Sequence, residues 1–313
     1  MTKKATEQRS SRRVSDRQGF RSLLVAVDLT PVSDRVLGRL ALLPLAGDAR
    51  VTLLHVVPRG LTAREQRDAE RDAIRMLAEE ARHRRNTLPA GVTIVPVVKF
   101  GRTAKTISSY ARTMRAEVVV MGRGSGNSLR DVFVGSTAEQ VIRQAEVPTL
   151  VVRLPDRSRY ARPALAIDMD EAASRAVAVM LRLLQTPRPP VAVIHAFDAP
   201  YRSFFYPSLA EDSVDERMDD LHLKAARDVA SVLRKALAKA NVPLEHAPSW
   251  KTHIRFGSPR IVVDRAVRKI GADLLVLGTR GHSGAPLLFL GTVAGDLLRQ
   301  SRCDVLIVPP LRR

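Results

Sequence analysis

The chain has 313 residues, 51 Lys and Arg against 32 Asp and Glu, a formal charge of +19 and one cysteine, Cys303. At roughly 100–200 residues per domain the length suits two domains with cores of their own, and a 45% hydrophobic content excludes wholesale disorder. A lone cysteine excludes a disulfide-stapled secreted domain, no apolar run nears the ~18 residues that span a bilayer, and no signal-peptide core opens the chain, so a soluble cytoplasmic protein without a membrane partner is expected.

Residues 1–20 are expected to form a solvated, disordered basic tail, with six Lys and Arg against Glu7 and Asp16. From 21 to 155, short Val/Ile/Leu-rich runs at 23–28, 51–57, 92–98, 117–121 and 148–152 read as strands buried on both faces. Amphipathic segments of helical period at 62–86 and 103–115 lie between them. From 161 to 310 the same alternation returns, with strands at 164–168, 191–197, 250–255, 273–277 and 304–308 and helical segments at 212–240 and 259–270. Strands buried on both faces and alternating with helices predict an α/β fold, two tandem doubly wound domains each built on a parallel sheet. The 42 Arg and 9 Lys are spread along the chain and aromatics make up only 4%, so composition does not point to nucleic acid.

The two halves are copies. LLVAVDLTPVSDRVLGRLALL (23–43) aligns with ALAIDMDEAASRAVAVMLRLL (164–184), VTLLHVV (51–57) with VAVIHAF (191–197), 97–122 with 253–278, and 135–152 with 291–308. The offset is 140 residues at Asp28/Asp168 and His55/His195 and 156 from Gly101/Gly257 onward, so a 16-residue insertion separates strands two and three of the second copy. Four collinear blocks identify a tandem duplication.

Ligands of doubly wound sheets bind beyond the carboxyl ends of the strands. After strand four of the second copy, Gly278 and Gly281 bracket a turn, and after nine intervening residues Gly291-Thr292 opens a helix whose free N–H groups favour a phosphate. The Thr292 hydroxyl is expected to cap that helix or donate to a phosphate oxygen, and Asp168, at the end of strand one, to accept from a purine amino group or a ribose hydroxyl.

This pattern, G-x2-G-x9-G-[S/T] after strand four with an Asp ending strand one, resembles the universal stress protein family over about residues 21–155 and 161–310. The resemblance implies a five-stranded parallel sheet in order 3-2-1-4-5, and ATP, with or without Mg, held by Gly278, Gly281, Gly291 and Thr292. It places adenine contacts at Asp168 and Ala196. It also implies pairing of the two copies through their fifth strands within the chain, with a homodimer open, and a stress-response or signalling role. No catalytic residue or metal ligand set is expected, so the chain reads as a binding module rather than an enzyme, with at most slow ATP hydrolysis. A scaffold of the same fold that binds no nucleotide is the alternative.

In the first copy Asp28, Val56, Gly122, Gly135 and Ser136 match the pattern, but Ser125 stands where the second glycine is wanted, which predicts a weaker or empty site. His55 and His195 are expected to be structural, their rings hydrogen-bonded near the carboxyl edge of the sheet. Cys303 is expected to be buried. The insertion brings Tyr201, Phe204, Phe205 and Tyr206 into six residues, either a loop packed on its own sheet or a lid or partner patch.

Overall fold

The computed structural model describes residues 19–123, 137–169, 171–197, 211–279 and 290–310. The chain divides into two units, residues 1–159 with 181–186 and residues 160–180 with 187–313.

In the first unit the elements are β1 (Phe20–Ala26), α1 (Pro31–Ala41), β2 (Leu45–Val57), α2 (Ala63–Arg85), β3 (Thr93–Phe100), α3 (Thr103–Thr113), β4 (Val118–Gly122), α4 (Thr137–Ala145) and β5 (Thr149–Val152). The strands are parallel in order β3-β2-β1-β4-β5, as the resemblance implies. Leu23, Leu24 and Val25 of β1 and Val118, Val119 and Val120 of β4 are fully buried, so the apolar runs are central strands covered on both faces. Each large side chain buried there contributes roughly 1.5–3 kcal/mol. Strand β2 begins six residues before the expected 51–57. Phe20 pairs with Leu45 and Ser22 with Arg50, a register shift that lets Ala46 and Ala49 pack inward ahead of the regular ladder.

The second unit holds β6 (Pro163–Ala166), α5 (Glu171–Leu183), β7 (Val191–Phe197), α6 (Glu211–Lys239), β8 (Trp250–Phe256), α7 (Pro259–Ile270), β9 (Leu274–Gly278), α8 (Thr292–Gln300) and β10 (Asp304–Val308), with strand order β8-β7-β6-β9-β10. Cys303 is buried, as expected. The aromatic insertion at 199–206 lies outside the described residues.

Local chemistry sets the element ends. Thr62 caps α2 in a reciprocal box: its hydroxyl accepts from the Glu65 N–H at 3.3 Å while the Glu65 carboxylate accepts from the Thr62 N–H at 2.7 Å. Helix α7 ends on Gly271 in the left-handed region at φ 61°, and Arg115 takes up the equivalent turn of the first copy at φ 52°. The start of strand one is tied to the start of strand four by a carboxylate in each unit. Glu117 accepts from the N–H groups of Arg21 at 2.5 Å and Ser22 at 3.2 Å, and Asp273 from those of Ala161 at 2.7 Å and Arg162 at 3.0 Å. Burial pushes the Glu117 carboxyl up, but the hydrogen bonds it accepts, led by that of Arg21, bring it below its ordinary value of 4.5.

Candidate functional site

The carboxyl ends of strands one, two and four come together in each unit because the ladders are parallel and nearly in register. In the first, Ala26 pairs with Leu54 on one side and Met121 on the other, so Asp28, Val56 and Gly122 lie just beyond the same edge. In the second, Ala166 pairs with Ile194 and Leu165 with Val276, which carries Asp168, Ala196 and Gly278 to the corresponding edge. Spacing along the sequence could not bring these residues together; strand order does.

The two histidines do what their placement suggests. His55 Nδ1 lies 2.9 Å from the Val27 carbonyl oxygen and His195 Nδ1 lies 2.9 Å from that of Ile167. A carbonyl only accepts, so the proton sits on Nδ1 in both rings. Each ring thereby fixes the residue immediately before the strand-one aspartate from strand two, and the N–H groups of Gly101 and Gly257, just past strand three, hold the last residue of strand two by donating to the carbonyls of Val57 and Phe197 at 3.1 Å.

The aspartates differ. Asp28 Oδ1 accepts from Ser33 Oγ at 2.5 Å, Thr30 Oγ1 at 2.8 Å and the Thr30 N–H at 3.2 Å, while the Asp28 N–H donates to Ser33 Oγ at 3.1 Å. Burial raises this carboxyl, and the bonds from Ser33 and Thr30 outweigh it, leaving the group below its ordinary value of 3.8. In the second unit Asp168 Oδ1 accepts from the Met169 N–H at 2.8 Å, and Ala173 stands where Ser33 stands in the first, so that hydroxyl donor is missing. The sequence reading passed over this clamp. Its signal was the D-x-T-x-x-S spacing from Asp28, a side-chain-to-backbone turn pattern.

The helix after strand four begins where expected but is capped differently. Gly291, not Thr292, is the N-cap of α8, and no side chain caps it; Thr292 is exposed at the first helical position. The expected hydroxyl cap is therefore not made, because the chain enters the helix one residue before the threonine. The Gly291 N–H donates to the Thr279 carbonyl at 3.0 Å, closing the loop onto the end of β9, and Gly291 accepts from the Gly295 N–H at 2.9 Å. The N–H groups of Thr292, Val293 and Ala294 have no acceptor within the helix, which leaves donors and the positive dipole end at this edge. Gly291 has φ −55° and ψ 151°, and among the described residues a Cβ there would meet only the Thr279 carbonyl at 3.4 Å. Neither this backbone conformation nor the described neighbours require glycine at 291.

Gly281, Gly135, Ser136 and Ser125 lie outside the described residues. Among the described residues no group of three or more His, Cys, Asp and Glu side chains could hold a metal ion, and no helix is long and apolar enough to cross a membrane.

The family model for the universal stress protein family matches residues 19–153 and again 160–309. The chain belongs to the universal stress protein family. Universal stress protein G of Shigella flexneri is 31% identical over 144 residues, 43% of this chain and 99% of that protein. A putative universal stress protein of Staphylococcus epidermidis is 36% identical over 58 residues, 18% of this chain, and the match spans 35% of that protein. Among solved structures, a universal stress protein from Archaeoglobus fulgidus superposes with a TM-score of 0.64 at 18% identity, covering 93% of this chain and 98% of that one. A putative universal stress protein from Pseudomonas aeruginosa gives 0.59 at 18% identity over 94% of each chain. At such identities the structural likeness speaks for the fold, and this family member carries it twice.

Proposed function

We propose that this chain is an adenine-nucleotide-binding module of stress response or signalling, with ATP held mainly by the second domain. The observation that carries the reading is Gly291, a glycine that neither its φ nor its described neighbours require, standing as the N-cap of a helix with no side-chain cap beside the ends of β6, β7 and β9. In this proposal the phosphates lie against Gly291 and the N–H groups of Thr292, Val293 and Ala294, with Gly278 and Gly281 giving close approach. Asp168 and the backbone of Ala196 meet the nucleoside. A Mg ion, where present, is carried by the phosphates, since the described residues offer it no carboxylate set. No residue is assigned to bond cleavage, so the module binds and reports rather than turns over.

The first domain is the weaker site. Ser33 and Thr30 hold the Asp28 carboxylate, and Ser125 replaces the second glycine. The proposal includes cytoplasmic residence and association of the copies through their fifth strands, checked by mixing separately expressed copies. The direct test of the nucleotide is native purification with identification of any co-eluting nucleotide, followed by ATP calorimetry on wild type and Gly281→Val. Retained affinity in the variant places the ligand elsewhere, and no binding by wild type favours the scaffold that binds no nucleotide.

A further inference from the structure

Strand β8 ends the sheet of the second unit and, among the described residues, pairs only with β7. The Ser249 carbonyl accepts from Val191 and the Gly257 N–H donates to Phe197, so odd-numbered residues of this stretch turn their backbone groups toward β7. The N–H and C=O groups of Thr252 and Ile254 therefore face outward, where no described strand pairs with them; the Ile254 carbonyl accepts instead from Arg255 Nη1 at 2.9 Å. The equivalent edge of the first unit, β3, is closed to addition. Pro96 occupies the position of Thr252 and removes the central outward donor.

The side chains of β8 are sorted by face. Phe256 meets Phe197 edge-on at 6.1 Å, and Phe197 meets His222 of α6 in the same way, so Trp250, Thr252, Ile254 and Phe256 share the α6 face. Lys251, His253 and Arg255 occupy the opposite face at steps of roughly 6.6 Å, with Lys251 and Arg255 exposed. Lys269 of α7 approaches the same row. Burial, then the charges of Arg255, Lys269 and Lys251, push the His253 imidazole below its ordinary 6.5. Beside it on the inner side is Ile194 of β7, which carries no charge. No ion pair among the described residues involves Lys251, Arg255 or Lys269, and Asp264 of α7 is taken by Arg268 at 3.1 Å. At the equivalent positions the first copy has Val95, Val97, Lys99 and Thr113, so both the open edge and the cationic row belong to the second copy alone.

We propose that the outer edge of β8 accepts an extended acidic segment of a partner protein as an added strand. Its backbone pairs with Thr252 and Ile254, and carboxylates at alternate positions lie opposite Lys251, His253 and Arg255, of which Lys251 and Arg255 carry the charge. Directly opposed residues of neighbouring strands share a face, so alternate acids meet the cationic row while the intervening apolar residues fall on the Trp250–Phe256 face. An acidic extended chain pairs with the outward backbone groups, taking the Ile254 carbonyl over from the Arg255 guanidinium, and compensates the charge of Lys251, Arg255 and Lys269. A nucleic-acid strand would meet the charge alone, with no use for the edge.

The test is fluorescence anisotropy of the full chain with a labelled eight-residue peptide of alternating Glu and Val, at low and moderate salt. Saturable binding that weakens with salt is expected. Lys251→Glu with Arg255→Glu should lower affinity at least tenfold and favour a peptide of alternating Lys and Val. Thr252→Pro, which copies Pro96 and leaves the ladder to β7 intact, should lower it similarly with unchanged circular dichroism. Equal binding of a peptide with the same composition in two blocks, no effect of Thr252→Pro, or tighter binding of a single-stranded oligonucleotide to the same residues would overturn strand addition.

Discussion

Replacing Gly291 by alanine separates a glycine needed by the fold from one needed by a ligand. At φ −55° alanine is unstrained, and among the described residues its Cβ would meet only the Thr279 carbonyl at 3.4 Å, an ordinary contact. Alanine is a poorer N-cap than glycine by about 0.5–1 kcal/mol. Removing a glycine from the unfolded chain returns about 0.4–1 kcal/mol. The two effects cancel to within about 0.5 kcal/mol, so the melting temperature should move by about 2 °C or less. A nucleotide phosphate placed against the start of α8 would feel the new methyl directly. Displacement from one charge-assisted hydrogen bond costs about 1.5–3 kcal/mol, roughly a 10- to 100-fold loss of affinity. Thermal melts of the free protein and ATP calorimetry read the two effects separately. A drop in melting temperature well beyond this range would make Gly291 structural, and unchanged affinity with an unchanged melt would remove it from the site.

Three further outcomes follow from particular residues. Arg115→Gly places in the first copy the glycine that the second has at 271; relief of about 1–2 kcal/mol of left-handed strain, less the entropy of an added glycine, should stabilise by about 0.5–1 kcal/mol in urea unfolding. No gain would show that the Arg115 turn is unstrained. The folded carboxyls of Asp28 and Glu117 lie below their ordinary 3.8 and 4.5, so the stability they supply is present above those values and is lost as pH falls through the folded ones. Urea unfolding from about pH 7 to about pH 3 should show a shallower acid loss in Glu117→Gln, and an identical profile would refute the assignment. Ser125→Gly combined with Ser33→Ala should raise occupancy of the first domain in an ATP titration and leave the second unchanged; unaltered stoichiometry would show that neither serine limits that site.

Much of this was legible in the sequence because it depends on short-range pattern. Runs such as LLVAV and VVVM can be satisfied only by burial on both faces, and an offset that changes once from 140 to 156 marks two copies and one insertion. The positions of Asp28, His55 and Gly278 at strand ends followed from the same alternation. What escaped was side-chain partnership at short range, such as the Ser33 hydroxyl on Asp28, where rotamer and turn decide the bond, and the exact entry into α8, where one residue separates a glycine cap from a threonine cap.

The sequence by itself determined the class of fold, the duplication and the family, because hydrophobic period and repeated blocks are properties of the chain read in order. Only the tertiary structure decided which residues share an edge or a face. The histidine ring on the carbonyl before each aspartate, the Thr279–Gly291 closure, and the row of Lys251, His253 and Arg255 on an open strand all depend on strand order and register. Lys251 and Arg255, two of the basic residues spread along the sequence, share one side of an end strand because strand geometry turns alternate residues to one face and long-range packing leaves β8 at the end of its sheet.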